Sequence, residues 1–177
     1  MNRTIEIPPP LNEPILSYAP GSPERAELEE VLARLKSTPV DIPLVIGGEE
    51  VRTGDTVSIS APHDHDLHLG VWHRAGRAEV EAAIEASRSA WRSWSRMPWG
   101  DRAAIFLRAA DLAAGPYRAE LNAATMLGQS KTVYQAEIDA ACEFADFLRF
   151  NAAFAEEIFA QQPLSPDGMW NRSEYRP

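Results

Sequence analysis

Four groups of residues carry side chains of the kinds that do chemistry. His63, His65 and His68 lie together with Asp64 and Asp66 between them. Imidazoles and carboxylates bind metal ions, but this spacing matches no usual zinc pattern, and a polar hairpin loop explains the same residues. Gly128-Gln129-Ser130-Lys131-Thr132 is similar to the end of a phosphate-binding loop. That loop needs glycine directly before its lysine, where Ser130 stands here, and a strand in front, where the chain reads as helix. A helix-to-helix turn accounts for it better. Cys142 is the chain's one thiol. An activated thiolate wants positive charge or a helix N-terminus nearby, whereas Asp139 and Glu143 flank Cys142 in mid-helix. Its pKa is expected to rise, and packing is its better reading.

The fourth candidate is Glu137. At ~100° per residue, a long helix after Ser130 places Tyr134, Ile138, Ala141, Ala145, Leu148, Ala152, Ala155 and Phe159 on one stripe, widened by Phe144 and Ile158. Glu137 falls inside this apolar sector, while Asp139, Glu143, Asp146 and Glu157 lie opposite. A carboxylate turned into an apolar face costs several kcal/mol unless it is paired or hydrogen-bonded, so a specific partner is expected. A buried ion pair, a bond to a neighbouring helix end and a functional role all satisfy that demand. Asn151 shares the sector and is expected to need a partner as well.

The elements that position these residues are legible from period and punctuation. Prolines at 8, 9, 10, 14 and 20 make residues 1–21 an extended arm. Ser22-Pro23-Glu24 opens a helix that Thr38-Pro39 closes. Residues 44–51 read as a hairpin turning at Gly47-Gly48, followed by short strands at 56–60 and 69–72 with a polar loop, Pro62 to Asp66, between them. From residue 77 to about 161 the pattern is helical, broken at Met97-Pro98-Trp99-Gly100, at Gly115-Pro116 and at Gly128. Ser130 is expected to cap the last helix, Gln162-Pro163 to stop it, and Trp170 to Tyr175 could form a strand. The fold class is mainly α with short β-hairpins, α+β as it stands.

Composition narrows the function. The chain has 177 residues, 17 Lys and Arg against 26 Asp and Glu, and a net charge of −9, which argues against nucleic acid as a partner. No apolar run approaches the ~20 residues that span a bilayer, and the first residues lack the apolar core of a signal peptide. A single cysteine fits a reducing compartment, so a cytoplasmic location is expected. No glycine-rich strand–turn–helix and no Ser-His-Asp or Cys-His constellation can be assembled from the sequence. The long helix carries more apolar surface than these few helices can cover, so the chain reads as part of something larger.

Several stretches then resemble a known family. Ile46-Gly47-Gly48-Glu49-Glu50-Val51, Pro62 in a short loop, Ala78 to Trp94, and Pro98 followed by Asp101-Arg102-Ala103-Ala104-Ile105 are similar to the N-terminal region of the aldehyde dehydrogenase superfamily. More specific are Gly21-Ser22-Pro23-Glu24-Arg25, Gly128 to Val133 with Gln135 to Ala141, and Phe147-Leu148-Arg149-Phe150-Asn151 before Gln161-Gln162-Pro163. These resemble the 1-pyrroline-5-carboxylate (L-glutamate γ-semialdehyde) dehydrogenase branch, over about Asn12 to Pro177.

The resemblance implies the N-terminal segment of an α/β fold, without its nucleotide-binding sheet. Residues 1–43 would be an arm plus one helix, and 44–177 the first part of an NAD-binding domain. The implied reaction oxidises the aldehyde to glutamate with NAD, in proline catabolism, through a cysteine thiolate and a glutamate base. Both catalytic groups and the main cofactor turn belong to sequence beyond Pro177. Cys142 is therefore no nucleophile, and the chain alone is expected to be inactive. The implied partners are the remainder of the dehydrogenase or a complementary chain and a small aldehyde, with a homo-oligomer left open. Glu137 is the one site residue carried over, beside the aldehyde channel where a carboxylate could meet the substrate's ammonium. A non-catalytic interaction module or gene fragment on the same framework is the alternative.

Overall fold

A computed structural model describes residues 7–175. Helix α1, Pro23–Ser37, begins as its sequence dictates: the Ser22 hydroxyl accepts the Arg25 amide at 3.4 Å, and Pro23 takes the first position, where no amide hydrogen is needed. It ends where Thr38, held extended ahead of Pro39, leaves the helical region.

Five strands follow: β1 (Val40–Ile42), β2 (Leu44–Ile46), β3 (Glu49–Val51), β4 (Thr56–Ala61) and β5 (Asp64–His73). Strands β2 and β3 form the expected hairpin, with Ile46 opposite Glu49 and both turn glycines at positive φ, +62° and +90°. The other three make a sheet in the order β1-β5-β4, with β4 antiparallel and β1 parallel to β5. Nothing in the sequence marks β1, because three residues between Pro39 and Pro43 are too few to show alternation. Gly70 admits it. Its φ is +151°, and a Cβ there would stand 2.8 Å from the Val40 amide nitrogen and inside the Val40 carbonyl. The stretch 62–66, expected as loop, is corrected: only Pro62 and His63 turn, and β5 starts at Asp64. Its first residues are polar because both faces are exposed there, which conceals the period of two.

The helices are α2 (Arg77–Trp94), α3 (Trp99–Ala114), α4 (Arg118–Gln129), α5 (Val133–Ala136) and α6 (Glu143–Ala160), with a π turn, Glu137–Cys142, joining the last two. The breaks at Pro98 and Gly115 fall where expected, whereas α4 runs through Gly128 to Gln129. Two further expectations are corrected. Ser130 does not cap the long helix; it closes α4 in the left-handed region, φ +57°. Thr132 supplies the cap instead, its hydroxyl accepting the Gln135 amide at 3.3 Å while Gln135 Oε1 accepts the Thr132 amide at 3.0 Å. Residues Trp170 to Tyr175 form no strand, and the tail is pinned by the Ser173 amide on Gln162 Oε1 at 3.0 Å.

The interior is small. Its buried apolar side chains are mostly alanines, grouped around Ile7, Ala103 and Ala152 at one place and Tyr18, Leu28 and Ala123 at another. Helix α2 buries no side chain, and Phe144, Phe147, Phe154 and Ile158 of α6 are exposed, as the excess apolar circumference foretold. No described helix is long and apolar enough to cross a membrane.

Candidate functional site

The largest fully buried side chains are polar: Glu137 and Asn122, both at 0 % exposure. Glu137 opens the π turn, where one extra residue per turn re-aims the helix surface. Its carboxylate accepts from two residues of the arm and two of α4, with the Cys142 thiol as a longer donor at 3.8 Å. The Leu16 amide donates to Oε1 at 2.7 Å, Tyr18 OH to Oε2 at 2.8 Å and Asn122 Nδ2 to Oε2 at 2.7 Å. Arg118 donates through Nε at 3.3 Å and, more closely, through Nη2. The arm, α4 and the long helix are thereby tied at one point.

Arg118 occupies the first position of α4, where the positive end of the helix dipole makes a cation locally unfavourable. The tertiary structure more than compensates. Besides Glu137 it meets Glu13 Oε1 at 2.7 Å and the Pro14 carbonyl at 2.6 Å. Glu13 also takes Arg149 at 2.6 Å, so charges alternate along Arg149, Glu13, Arg118 and Glu137.

The arm runs antiparallel to the long helix and hands its free amides to carboxylates: Leu16 to Glu137 at 2.7 Å, Glu13 to Asp146 at 2.7 Å, Ile7 to Glu156 at 3.1 Å. Over the described residues it holds no helix or strand, and the extended reading is interrupted at Tyr18, which takes a positive φ, and at the turn of Pro20 and Gly21; residues 1–6 lie outside the described residues.

Electrostatics follow the geometry. Burial pushes the Glu137 carboxyl up, but Arg118 and the Leu16, Asn122 and Tyr18 donors outweigh it and hold the group below the ordinary carboxylate range. Burial, then the Glu137 charge, pushes the Tyr18 hydroxyl up to about 12. Burial opposes the Arg118 charge, yet Glu137 and Glu13 raise its pKa above the usual arginine value. The cluster thus holds Glu137 as a carboxylate against the Arg118 guanidinium, with the Tyr18 hydroxyl and the Cys142 thiol kept protonated well above neutral pH. Asn122 Oδ1 is its one buried atom without a partner.

The other candidates separate. Cys142 is buried against the cluster, 3.5 Å from Arg118 Nη2 and 3.8 Å from Glu137 Oε1, its thiol pushed up to about 11 by burial and by the Glu137 charge. The rise was expected, but its main causes are burial and Glu137, not Asp139 and Glu143. His63 bonds Ser130 Oγ at 2.8 Å and His68 bonds Ser58 at 3.0 Å, and among the described residues no three His, Cys, Asp or Glu side chains converge as metal ligands. Lys131 pairs with Asp139 at 2.5 Å in an ordinary helix-to-helix turn. Asn151, expected to need a partner, lies exposed, because nothing in the described chain covers its face of α6.

Periodicity found Glu137 but not Glu13, Tyr18, Arg118 or Asn122. Arg118 did leave a signal: a cation at a helix start asks for a carboxylate. A second signal lies in the arm, where Tyr18 takes a positive φ of 52° that a bulky residue holds only when its surroundings insist.

A dinucleotide would need glycines at a strand-to-helix junction. The one such junction among the described residues, β5 to α2, has Gly76 alone at the helix start, and Glu79 Oε2 already accepts the Gly76 amide at 2.8 Å. With one glycine and its amide already bonded to Glu79, this junction does not fit a dinucleotide's pyrophosphate.

Comparison with known proteins gives one answer. The aldehyde dehydrogenase family profile matches residues 50–177. A delta-1-pyrroline-5-carboxylate dehydrogenase of Agaricus bisporus is 54 % identical over 176 residues, covering 98 % of this chain and 32 % of that protein. The mitochondrial enzyme of the same name from Danio rerio is 51 % identical, covering 93 % and 30 %. The crystal structure of the Mycobacterium tuberculosis delta-pyrroline-5-carboxylate dehydrogenase bound with NAD superposes at a TM-score of 0.97 and 52 % identity, over 100 % of this chain and 33 % of that one. The chain therefore spans about a third of the length of these relatives. With a family profile over most of its length and this arrangement of arm, hairpins and helices, the chain belongs to the aldehyde dehydrogenase family.

Proposed function

We propose that the chain is one part of an NAD-dependent 1-pyrroline-5-carboxylate dehydrogenase, oxidising L-glutamate γ-semialdehyde to glutamate, and that these 177 residues alone do not turn over. The observation that carries the reading is likeness along the whole chain, at 52 % identity and a TM-score of 0.97, to a solved enzyme of that name. Inactivity is supported from within, because the one cysteine is buried with its thiol pushed up to about 11, the reverse of an activated nucleophile. The family's chemistry needs a thiolate, a base and a dinucleotide cradle, and no residue described here is assigned to any of them.

Glu137 takes a positioning role in this reading. Its saturated carboxylate fixes the arm against α4 and the long helix, and so sets the framework on which a channel wall would rest. A direct meeting with the substrate's ammonium requires the carboxylate to release one of its present donors. The test continues this chain with the remaining two thirds of the A. bisporus relative and compares it with Glu137→Gln. A positioning role predicts a lower unfolding midpoint and a lower kcat, with KM for the aldehyde little changed. A raised KM at unchanged stability would assign Glu137 to the substrate instead.

The exposed phenylalanines of α6 also suit the second reading, a non-catalytic interaction module. The sequence encoded after Pro177 separates the two: an in-frame continuation bearing a cysteine motif supports the enzyme, and a stop codon supports the module.

A further inference from the structure

A cavity among the described residues shares no residue with the Glu137 cluster. It measures about 760 Å³ and lies between the end of α2, the start of α3 and the tail, where Trp91, Arg92, Arg96, Trp99, Arg102 and Tyr175 contribute walls. In a chain of net charge −9 this is a concentration of cations. Arg172, also on its wall, is answered by Glu174 at 3.9 Å, whereas Arg92, Arg96 and Arg102 pair with no described carboxylate.

Arg102 is the built part. Its guanidinium stacks over the rings of Trp99 at 5.7 Å and Trp94 at 6.0 Å. Stacking uses the faces of the group and leaves its in-plane N–H donors free to bond. Arg102 Nε and the Trp99 indole Nε1 are buried and have no acceptor. A buried donor left unmet is costly, and an acceptor that reached this wall would meet one neutral and one cationic donor.

We propose that the cavity seats an acidic segment from the rest of the dehydrogenase, whose carboxylates pair with Arg92, Arg96 and Arg102; this rests on the reading that the chain is one part of such an enzyme. Two observations favour a polypeptide occupant. The relatives carry about twice this chain's length again, which must pack against it somewhere, and the cavity is walled by the tail residues that end the described chain. The unmet donors give that packing its sign.

Arginine footprinting with phenylglyoxal tests the proposal on the 177-residue chain and on the same chain continued by the A. bisporus remainder. Arg92 and Arg96 should be modified at least tenfold more slowly in the continued chain, while Arg77 and Arg88, on α2 outside the cavity, react equally in both. Equal reactivity of Arg92 and Arg96 would overturn the proposal. Protection of the short chain by 1 mM citrate would also overturn it, naming a free oxyanion as occupant. In the continued chain, the combined Arg92→Gln, Arg96→Gln and Arg102→Gln change should lower the unfolding midpoint, with the loss fading at 0.5 M salt. A salt-independent loss would mean that the cavity is only filled, not answered by charge. Absence of dehydrogenase activity in the continued, unsubstituted chain would strike the enzyme reading itself, whatever the footprint shows.

Discussion

The two faces of the long helix have opposite fates. Toward the arm and α4 it buries a charge, and every donor that charge needs comes from the chain itself. Toward solvent, α6 shows Phe144, Phe147, Phe154 and Ile158, each roughly half exposed. Among buried alanines the helix hides one charge, and on its other side it leaves large apolar side chains in the open. A polar cluster must be closed locally, because an unpartnered buried charge is costly, whereas an apolar face can wait for a partner at a modest penalty in solubility. Closure of the first face and openness of the second are what a part of a larger fold looks like.

That contrast breaks most sharply at Glu137. Glu137→Ala leaves Arg118 buried beside Glu13 alone, and should destabilise the chain by about 3–5 kcal/mol, read as a drop in the urea midpoint. On the open face, Phe147→Ser should change the stability of the isolated chain by less than about 0.5 kcal/mol. A large loss there would mean that the face is covered after all.

Gly70→Ala should cost about 1–3 kcal/mol, because the new Cβ meets the Val40 backbone at a φ of +151°. Unfolding after this change should begin with loss of β1 from its sheet. Tyr18→Phe removes one donor to Glu137 and the acceptor of Asn122, and should cost about 1–3 kcal/mol.

The smallest effect is a dependence on pH. Glu137 is held below the ordinary carboxylate range, so its contribution is complete above the unfolded value and is lost as pH falls through the folded one. Tyr18 and Cys142 are raised, to about 12 and about 11 from 10.0 and 9.0, so their contributions are complete below the unfolded values and fade between pH 9 and 12. Unfolding measured across that alkaline window should lose its upper part in the Tyr18→Phe chain.

Much of this was legible in the sequence, and unevenly. The hairpin at Gly47-Gly48, the start of α1 and the breaks at Pro98 and Gly115 follow from residues that act on their own neighbours. Glu137 was visible as a charge out of phase with its helix. Its partners were not, since Leu16 lies 121 residues away and Tyr18 119. Strand β1 was hidden for the same reason: its support is Gly70, on another strand. Ser130 is the expected cap because serine can cap, and only the left-handed turn it makes hands that role to Thr132.

The account is tested most directly by amide hydrogen exchange at Leu16 in the isolated chain. Leu16 sits in an arm without helix or strand, and its amide has one acceptor, Glu137 Oε1 at 2.7 Å. A clasp closed by the chain itself predicts protection comparable to the amides of α4, and loss of that protection in Glu137→Ala. Exchange of Leu16 at the rate of an unstructured peptide would contradict it.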